Sequence, residues 1–326
     1  MISRRGLLLA GMLVPSVVRA ADLPTIKVGI LPFGTVSWEA ETIRREKLDE
    51  AAGYRLEAVR LATNDAARIA FQAGQVDTIV SDLLLAARLR NEGRNVKFLP
   101  FSATEGGVMV PAGSSIRSVA DLAGKRIGVA GGALDKSWIL LKAHAQEKSG
   151  LDLATAAQPA FGAPPLLANK LETGELDAAL LYWNFCARLE AKGYRKLVGA
   201  GDIARAFGLT GDIALIGYMF DEALAERTGG LIDKFATSSL SAKRLLTEND
   251  AAWSALRPMM EAEDETTFQT LKRYFIEGVP RRPAAEEQAD AEKLYAVLRT
   301  LGGEKLVGAG TVLPPGLYWG DPRKAS

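Results

Sequence analysis

The chain of 326 residues has one cysteine, Cys186, and one histidine, His144. A single cysteine excludes an intramolecular disulfide, and a core of this size does not need one. His144 lies in a predicted helix beside Leu140 and Leu141, without a neighbouring nucleophile or metal ligand, so a packing or surface role is favoured over chemistry. The sequence also lacks a glycine-rich phosphate loop and a metal-ligand spacing of His and Cys. We therefore predict no catalytic residue, no metal and no cofactor.

Beyond the N-terminus there is neither a long apolar run nor an excess of one charge. No stretch there reaches the roughly 18 apolar residues that cross a bilayer. The chain has 40 basic and 39 acidic residues, a formal net charge of +1. The first 20 residues contain 3 arginines and no acid, so their removal leaves a net charge of −2. This balance argues against a nucleic-acid-binding surface.

The N-terminus has the pattern of an export signal. Arg4-Arg5 precedes an apolar stretch, and Val18-Arg19-Ala20 supplies small residues for cleavage after Ala20. We predict a twin-arginine signal peptide over residues 1–20; the alternative is a buried N-terminal helix. The next residue is Ala21 rather than cysteine, so we expect an exported, soluble product without a lipid anchor.

One phrase of the sequence occurs twice, about one hundred residues apart. Residues 71–80, FQAGQVDTIV, are echoed by residues 171–180, LETGELDAAL, and the strand-like KVGI at 27–30 is echoed by RIGV at 126–129. Each copy predicts a strand, a helix that ends at a glycine, and a second strand. Two copies of one α/β unit predict two similar lobes, and the cleft between domains is where small molecules bind.

The alternation of strands and helices predicts an α/β fold in which each lobe is a mostly parallel sheet flanked by helices. After an apolar strand at 213–219 the pattern becomes purely helical, and we expect these C-terminal helices to pack on lobe 1. We predict that lobe 1 is discontinuous, with residues 21–110 and 214–326, and that lobe 2 comprises residues 111–213. The candidate hinges are residues 110–113 and 210–217.

Candidate ligand-binding residues lie in the loops at the carboxyl ends of the predicted strands, where helix N-termini point into the crevice. They are Phe33, Gly34, Thr35, Trp38, Ser81, Asp82, Thr104, Glu105, Gly131, Gly132, Asp135, Tyr182, Trp183, Asn184 and Asp212.

Several of these candidates have an equally simple structural interpretation. Trp38 fits the first core position of a helix, and Asp82, with Ser81, fits a helix cap. Glu105 fits a solvated loop acid. Strand alternation allows only one of Tyr182 and Trp183 to face the cleft.

Four phrases resemble substrate-binding proteins of ABC importers: IKVGIL (26–31), AGQVDTIVSD (73–82), SIRSVADLAGKRIGV (115–129) and TGELDAALLYW (173–183). The similar group serves alkanesulfonates, taurine, nitrate and thiamine pyrimidines. The resemblance implies a two-lobed clamp with the type II periplasmic binding fold. It also implies a monomer in the periplasm, a small organic ligand as cargo, an inner-membrane ABC permease as partner, and no enzymatic activity.

One turn departs from the pattern of that family, which often places a Gly-Ser-Thr or Gly-Thr turn after the first strand of lobe 2. Here the turn is Gly131–Ser137, in which Asp135 would repel an anion and Lys136 would attract one. With the candidate aromatic side chains, this favours a small polar organic ligand with a flat or apolar part over a simple inorganic anion. Two alternatives are an exported enzyme acting through Asp82, Glu105 or Asp135, and a sensor that does not transport.

Overall fold

A computed structural model describes residues 23–320 of the chain, and the predicted signal peptide therefore lies outside the described residues. Within the described range, ten strands form two five-stranded sheets. They are β1 (Thr25–Ile30), β2 (Arg55–Arg60), β3 (Thr78–Asp82), β4 (Val96–Ser102), β5 (Gly107–Val110), β6 (Arg126–Ala130), β7 (Gln158–Gly162), β8 (Ala178–Leu181), β9 (Arg195–Gly199) and β10 (Ile216–Asp221).

The two sheets share one topology. The first has the order β2-β1-β3-β10-β4 and the second has the order β7-β6-β8-β5-β9. In each, the first strand after the chain crosses from the other sheet pairs antiparallel between two neighbours: β10 between β3 and β4, and β5 between β8 and β9. The predicted return of the chain to the first sheet near 213–219 is thus confirmed. Residues 108–110, which we assigned to lobe 1, lie instead in the second sheet, because β5 pairs there.

The repeated phrases build equivalent positions in the two sheets. Asp77 Oδ2 accepts a hydrogen bond from the backbone N–H of Lys27 over 2.8 Å, and Asp177 Oδ2 accepts one from the N–H of Arg126 over the same distance. Each aspartate therefore connects the loop before the third strand of its unit, β3 or β8, to the start of the first strand, β1 or β6. The repeat thus has a structural role at these two positions.

Fifteen helices flank the sheets in the described range. They are α1 (Val36–Arg45), α2 (Leu48–Ala51), α3 (Asn64–Gln72), α4 (Leu83–Asn91), α5 (Lys136–Ser149), α6 (Leu153–Ala156), α7 (Pro164–Glu172), α8 (Trp183–Ala191), α9 (Ala200–Ala206), α10 (Glu222–Arg227), α11 (Leu231–Glu248), α12 (Asp250–Ser254), α13 (Arg257–Met260), α14 (Glu265–Glu277) and α15 (Ala284–Val307). None of the helices in residues 23–320 is both long and apolar enough to span a bilayer.

Local contacts define the starts of two helices near the first sheet. Helix α1 begins at Val36, and Ser37 in its first turn donates its hydroxyl to the carbonyl oxygen of Gly34 over 2.8 Å. Lys47 adopts a left-handed φ of 54° and separates α1 from α2. Thr63 caps α3 by accepting the N–H of Ala66.

The C-terminal helices contact both lobes. Helix α11 packs on α1 and α2 beside the first sheet, as predicted. Helix α14 packs on α8 beside the second sheet, and α15 packs on both α4 and α5. The helical region therefore extends its contacts beyond the first lobe, and it stabilises the relative position of the two sheets.

Candidate functional site

A cavity of about 290 Å³ lies between the two sheets, at the carboxyl ends of β1, β3 and β8. Side chains from both lobes line it, because equivalent loops of the two repeated units face each other across the cleft. A cavity of this size is at the lower end of the range for small-molecule sites. Most of the candidate residues meet here: Phe33, Gly34, Thr35, Ser81, Asp82, Thr104, Glu105, Asp135, Tyr182, Trp183 and Asn184.

Trp38 does not line the cavity. Its side chain is 3% exposed and lies in an aromatic cluster, with ring centroids 5.9 Å from Trp183, 6.2 Å from Trp253 and 6.0 Å from Phe275. The indole faces the C-terminal helices because Trp38 lies on the side of α1 that packs against them. Its candidate role in direct ligand contact is therefore corrected to support of the residues behind the cavity.

Gly131, Gly132 and Asp212 are also outside the cavity lining. Gly131 has a φ of +90°, and a Cβ there would lie 3.1 Å from Asp135 Oδ2, so glycine permits the turn that brings this carboxylate to the cavity. Asp212 pairs with Arg205, and its carbonyl oxygen accepts a hydrogen bond from Arg282 over 3.2 Å. These contacts stabilise the segment between α9 and β10, which returns the chain to the first sheet.

Six polar or charged lining residues were absent from the candidates: Asn64, Asp65, Arg68, Arg88, Lys136 and Ser137. Asn64 and Arg68 belong to α3, which follows β2 and therefore begins at the same edge of the sheet as the chosen loops. The rule that ligands bind at the carboxyl ends of the strands also predicts the loop between β2 and α3. Lys136 was noted in the sequence as a cation of the turn after β6, and the structure adds its pairing with Glu105.

A buried ion pair lies in the cavity wall. Glu105 Oε2 is 3.3 Å from Lys136 Nζ, and the two side chains are 8% and 12% exposed. Glu105 is thus not the solvated loop acid that was the simpler interpretation. Burial raises the pKa of Glu105 and Lys136 opposes this rise. Burial alone would lower the pKa of Lys136, but Glu105, Asp135 and Asp82 together raise it, so the ammonium stays charged.

Two carboxylates in the cavity wall cap helices. Asp82 Oδ1 accepts the N–H of Leu85 over 2.9 Å at the start of α4. Asp135 Oδ1 accepts the N–H groups of Ser137 over 2.9 Å and Trp138 over 3.3 Å at the start of α5. Burial raises the pKa of Asp135, and Lys136 and these two N–H groups oppose the rise. The capping interpretation of Asp82 is confirmed, and the same side chain lines the cavity.

Both members of the aromatic pair at the end of β8 line the cavity. The expectation that only one would do so is wrong, because β8 ends at Leu181 and Trp183 already begins α8. Tyr182 is half-buried, and burial, followed by Asp135, raises the pKa of its hydroxyl to about 12. Trp183 is 5% exposed and stacks on Tyr274 with ring centroids 6.3 Å apart. Tyr182 therefore presents more of its surface to the cavity.

Among residues 23–320, no group of three or more His, Cys, Asp or Glu side chains is arranged to hold a metal ion. Thr104 has its hydroxyl engaged, since it donates to the carbonyl oxygen of Tyr274 over 2.9 Å. The wall of the cavity thus combines four carboxylates, the ammonium group of Lys136, two arginines and four aromatic rings. Such a surface can hold a small molecule by hydrogen bonds and apolar contact.

Residues 100–249 are similar to the family model described as NMT1/THI5 like. No curated protein matches the chain by sequence. The alkanesulfonate-binding protein SsuA from Xanthomonas axonopodis pv. citri, solved with bound MOPS, is 19% identical with a TM-score of 0.66, covering 91% of this chain and 98% of that one. The periplasmic aliphatic sulphonate binding protein SsuA from Escherichia coli is 16% identical, with a TM-score of 0.66 and coverages of 89% and 97%.

The desulfurization enzyme DszB has the same fold, at 18% identity and a TM-score of 0.62, covering 90% of this chain and 97% of that one. The similarity to these structures confirms the predicted two-lobed fold of the periplasmic-binding-protein kind. Because binding proteins and an enzyme share it, the fold alone does not determine the activity.

Proposed function

We propose that this chain is the solute-binding protein of an ABC importer and captures a small polar organic molecule between its two lobes. The observation that carries the proposal is the 290 Å³ cavity, which side chains from equivalent loops of both lobes enclose. A site divided between two lobes is suited to binding by closure, because contacts made only in the closed state shift the population toward it. The binding proteins among the structural neighbours are consistent with this function.

Closure requires segments that can bend. We propose that residues 21–106 and 214–326 act as one lobe and residues 107–213 as the other, because β5 (Gly107–Val110) lies in the second sheet. The two connections between the sheets are residues 103–106 and residues 207–215. The predicted hinge at 110–113 is corrected to 103–106, because β5 before it already lies in the second sheet, and the predicted hinge at 210–217 overlaps the second connection. We propose these two connections as the hinges.

We further propose that the protein works as a soluble monomer in the periplasm and delivers its ligand to a membrane permease. Residues 1–20 would direct export through the twin-arginine route, and no lipid would be attached at Ala21. The importer and the sensor hypotheses share the binding step. Uptake of the same ligand through a membrane permease is expected only of an importer and would therefore distinguish them.

The binding step is tested by a screen of sulfonates, nitrate, pyrimidines, amines and small alcohols in calorimetry, followed by small-angle scattering of the purified chain with each binder. We expect at least one solute to bind at micromolar strength and to reduce the radius of gyration. Micromolar binding without compaction contradicts the clamp. Chemical conversion of a bound solute, followed by mass spectrometry, would instead establish the enzyme hypothesis.

A further inference from the structure

One buried carboxylate oxygen in the cavity wall has no hydrogen-bond partner among residues 23–320. Glu105 Oε2 faces Lys136 Nζ at 3.3 Å, but Glu105 Oε1 is buried and makes no hydrogen bond with any described residue. The side chain is 8% exposed and lines the cavity. A buried acceptor without a donor is costly to stability, and such groups are normally satisfied by a partner. A donor on a bound molecule would satisfy this oxygen.

The charge around this oxygen is negative. Asp82 and Asp135 line the same cavity, and Lys136 is the cation that faces Glu105 directly. Three carboxylates against one ammonium group leave an excess of two negative charges among these four side chains. Burial is the main cause that raises the pKa of both Glu105 and Asp135, and the charge of Asp82 adds a smaller rise to each.

The remaining charged groups of the lining do not reverse this sign. Arg68 is 3.1 Å from Asp65 and is neutralised by it. Arg88 lies toward the end of α4, at the opposite end of that helix from Asp82. With Arg88 counted, the lining still carries one more negative than positive charge.

Two helix N-termini at the cavity, those of α4 and α5, are partly occupied by carboxylates of the chain itself. The N–H of Leu85 in α4 binds Asp82, and those of Ser137 and Trp138 in α5 bind Asp135. Such termini bind anions in other proteins because their N–H groups point outward and carry partial positive charge. At α4 and α5 an internal carboxylate takes part of that role, whereas α1 and α8 begin at the cavity without a side-chain cap.

These observations lead to a ligand class, and the inference rests on the proposed solute-binding function. We propose that the ligand is a small organic amine whose protonated nitrogen donates a hydrogen bond to Glu105 Oε1. The flat or apolar part of the ligand then lies against Tyr182 and Phe33, which line the same cavity. The face of an aromatic ring attracts a nearby cation, which adds to the preference for an amine over a neutral ligand. A charge-assisted hydrogen bond is also stronger than a neutral one.

The inference is tested with three probes that share one ring and differ in the head group: benzylamine, benzyl alcohol and benzenesulfonate. Calorimetry of the purified chain at neutral pH should show benzylamine binding about tenfold or more tightly than benzyl alcohol, the difference expected of a charge-assisted bond. Benzenesulfonate should bind more weakly than either.

Variants then connect the preference to the carboxylate. Glu105→Gln should weaken benzylamine by about tenfold or more while it leaves benzyl alcohol within about threefold. The exposed Glu92 at the end of α4 supplies the control, and Glu92→Gln should leave both affinities unchanged. If Glu105→Gln does not fold, Asp135→Asn keeps the capping oxygen, and it should also reduce the preference for benzylamine.

Benzenesulfonate binding as tightly as benzylamine, or a benzylamine affinity that neither acid substitution changes, overturns the amine inference. The amine inference is also overturned if benzylamine does not bind although another solute reduces the radius of gyration of the protein. In each case the solute-binding function stands, since compaction by any solute supports it. A protein that no solute compacts refutes the proposed clamp, and with it the inference that rests on it.

Discussion

The side-chain amide of Asn184 donates a hydrogen bond to the carbonyl oxygen of Phe33 over 3.2 Å. Asn184 is in the first turn of α8 beside the second sheet, and Phe33 follows β1 of the first sheet. The bond therefore joins the two lobes at the wall of the cavity. Because the acceptor belongs to the backbone, the side chain at position 184 determines whether the contact forms.

Replacing Asn184 by alanine should loosen the closed arrangement. The loss of one hydrogen bond corresponds to about 0.5–1.5 kcal/mol, so the affinity for any solute that compacts the protein should fall by roughly two- to tenfold. Calorimetry measures this change, and Asn169→Ala on the exposed face of α7 is the matched control. Equal affinities in the two variants would show that the contact does not contribute to closure.

Trp183→Ala should destabilise the fold as well as the site. The indole is 5% exposed and packs between Tyr274 and Trp38, with ring centroids 6.3 and 5.9 Å away. Removing a buried aromatic side chain of this kind lowers the free energy of unfolding by about 3–5 kcal/mol. Urea denaturation measures this loss, and Tyr182→Phe, which removes one hydroxyl, should have a much smaller effect. Wild-type stability in Trp183→Ala contradicts the packing role.

The repeated unit was predictable because its signals are local. The glycines at 74 and 174 end their helices with φ values of +69° and +77°, and Asp77 and Asp177 bond to the backbone of the neighbouring strand. Helix ends and strand starts of this kind depend on residues close in sequence, so the pattern alone indicated two similar units.

Other features depend on contacts between distant residues. Trp38 has the spacing of either a core or a site residue, and only the positions of Trp253 and Phe275 decide that it faces away from the cavity. The pairing of Glu105 with Lys136 joins segments that no short-range pattern connects. The placement of β5 in the second sheet likewise depends on its partner strands, because a sequence of four mostly apolar residues does not indicate which sheet the strand joins.

Replacing Arg4 and Arg5 together by lysine should trap the precursor inside the cell if export uses the twin-arginine route, because that route reads the arginine pair. Cell fractionation followed by immunoblotting measures the ratio of precursor to mature chain. A single replacement of Arg19 by lysine, outside the pair, is the matched control. Normal export of the double variant would indicate the general secretion route.

The pH dependence of stability should report the burial of Glu105. Burial raises the pKa of this carboxyl, against the effect of Lys136, so the folded state takes up a proton more readily than the unfolded state. The contribution of Glu105 to the free energy of unfolding therefore becomes more favourable as the pH falls from neutral toward its ordinary pKa of about 4.3. Asp82 and Asp135 face the same site, and the pKa of Asp135 is also raised by burial.

Comparison of two chains isolates the effect of Glu105 from that of its neighbours. Urea denaturation across this pH range should show the wild type gaining stability relative to Glu105→Gln as the pH falls. Glu92→Gln should run parallel to the wild type, because Glu92 is exposed. Parallel curves for the wild type and Glu105→Gln would contradict a raised pKa.

A second buried ion pair lies outside the cavity lining and should affect stability without affecting binding. Lys243 and Glu39 form an ion pair with side chains 4% and 0% exposed, the Tyr218 hydroxyl donates to Glu39 Oε1 over 2.9 Å, and Lys243 Nζ donates to Ser239 Oγ over 2.7 Å. Burial lowers the pKa of Lys243, and Glu39 opposes this. Removal of one partner of such a pair costs about 3–5 kcal/mol because the other charge stays buried.

Glu39→Gln should therefore lower the free energy of unfolding by about 3–5 kcal/mol at neutral pH. The unpaired Lys243 then has a still lower pKa in the folded state, so the unfolded state binds more protons and the stability of this variant should rise with pH. Addition of Lys243→Met should restore much of the loss and abolish this rise, because no charge then remains to be buried. Urea denaturation of the three chains at several pH values measures both effects. A stable single variant, or a double variant less stable than Glu39→Gln, would show that the pair does not act through desolvation of the lysine.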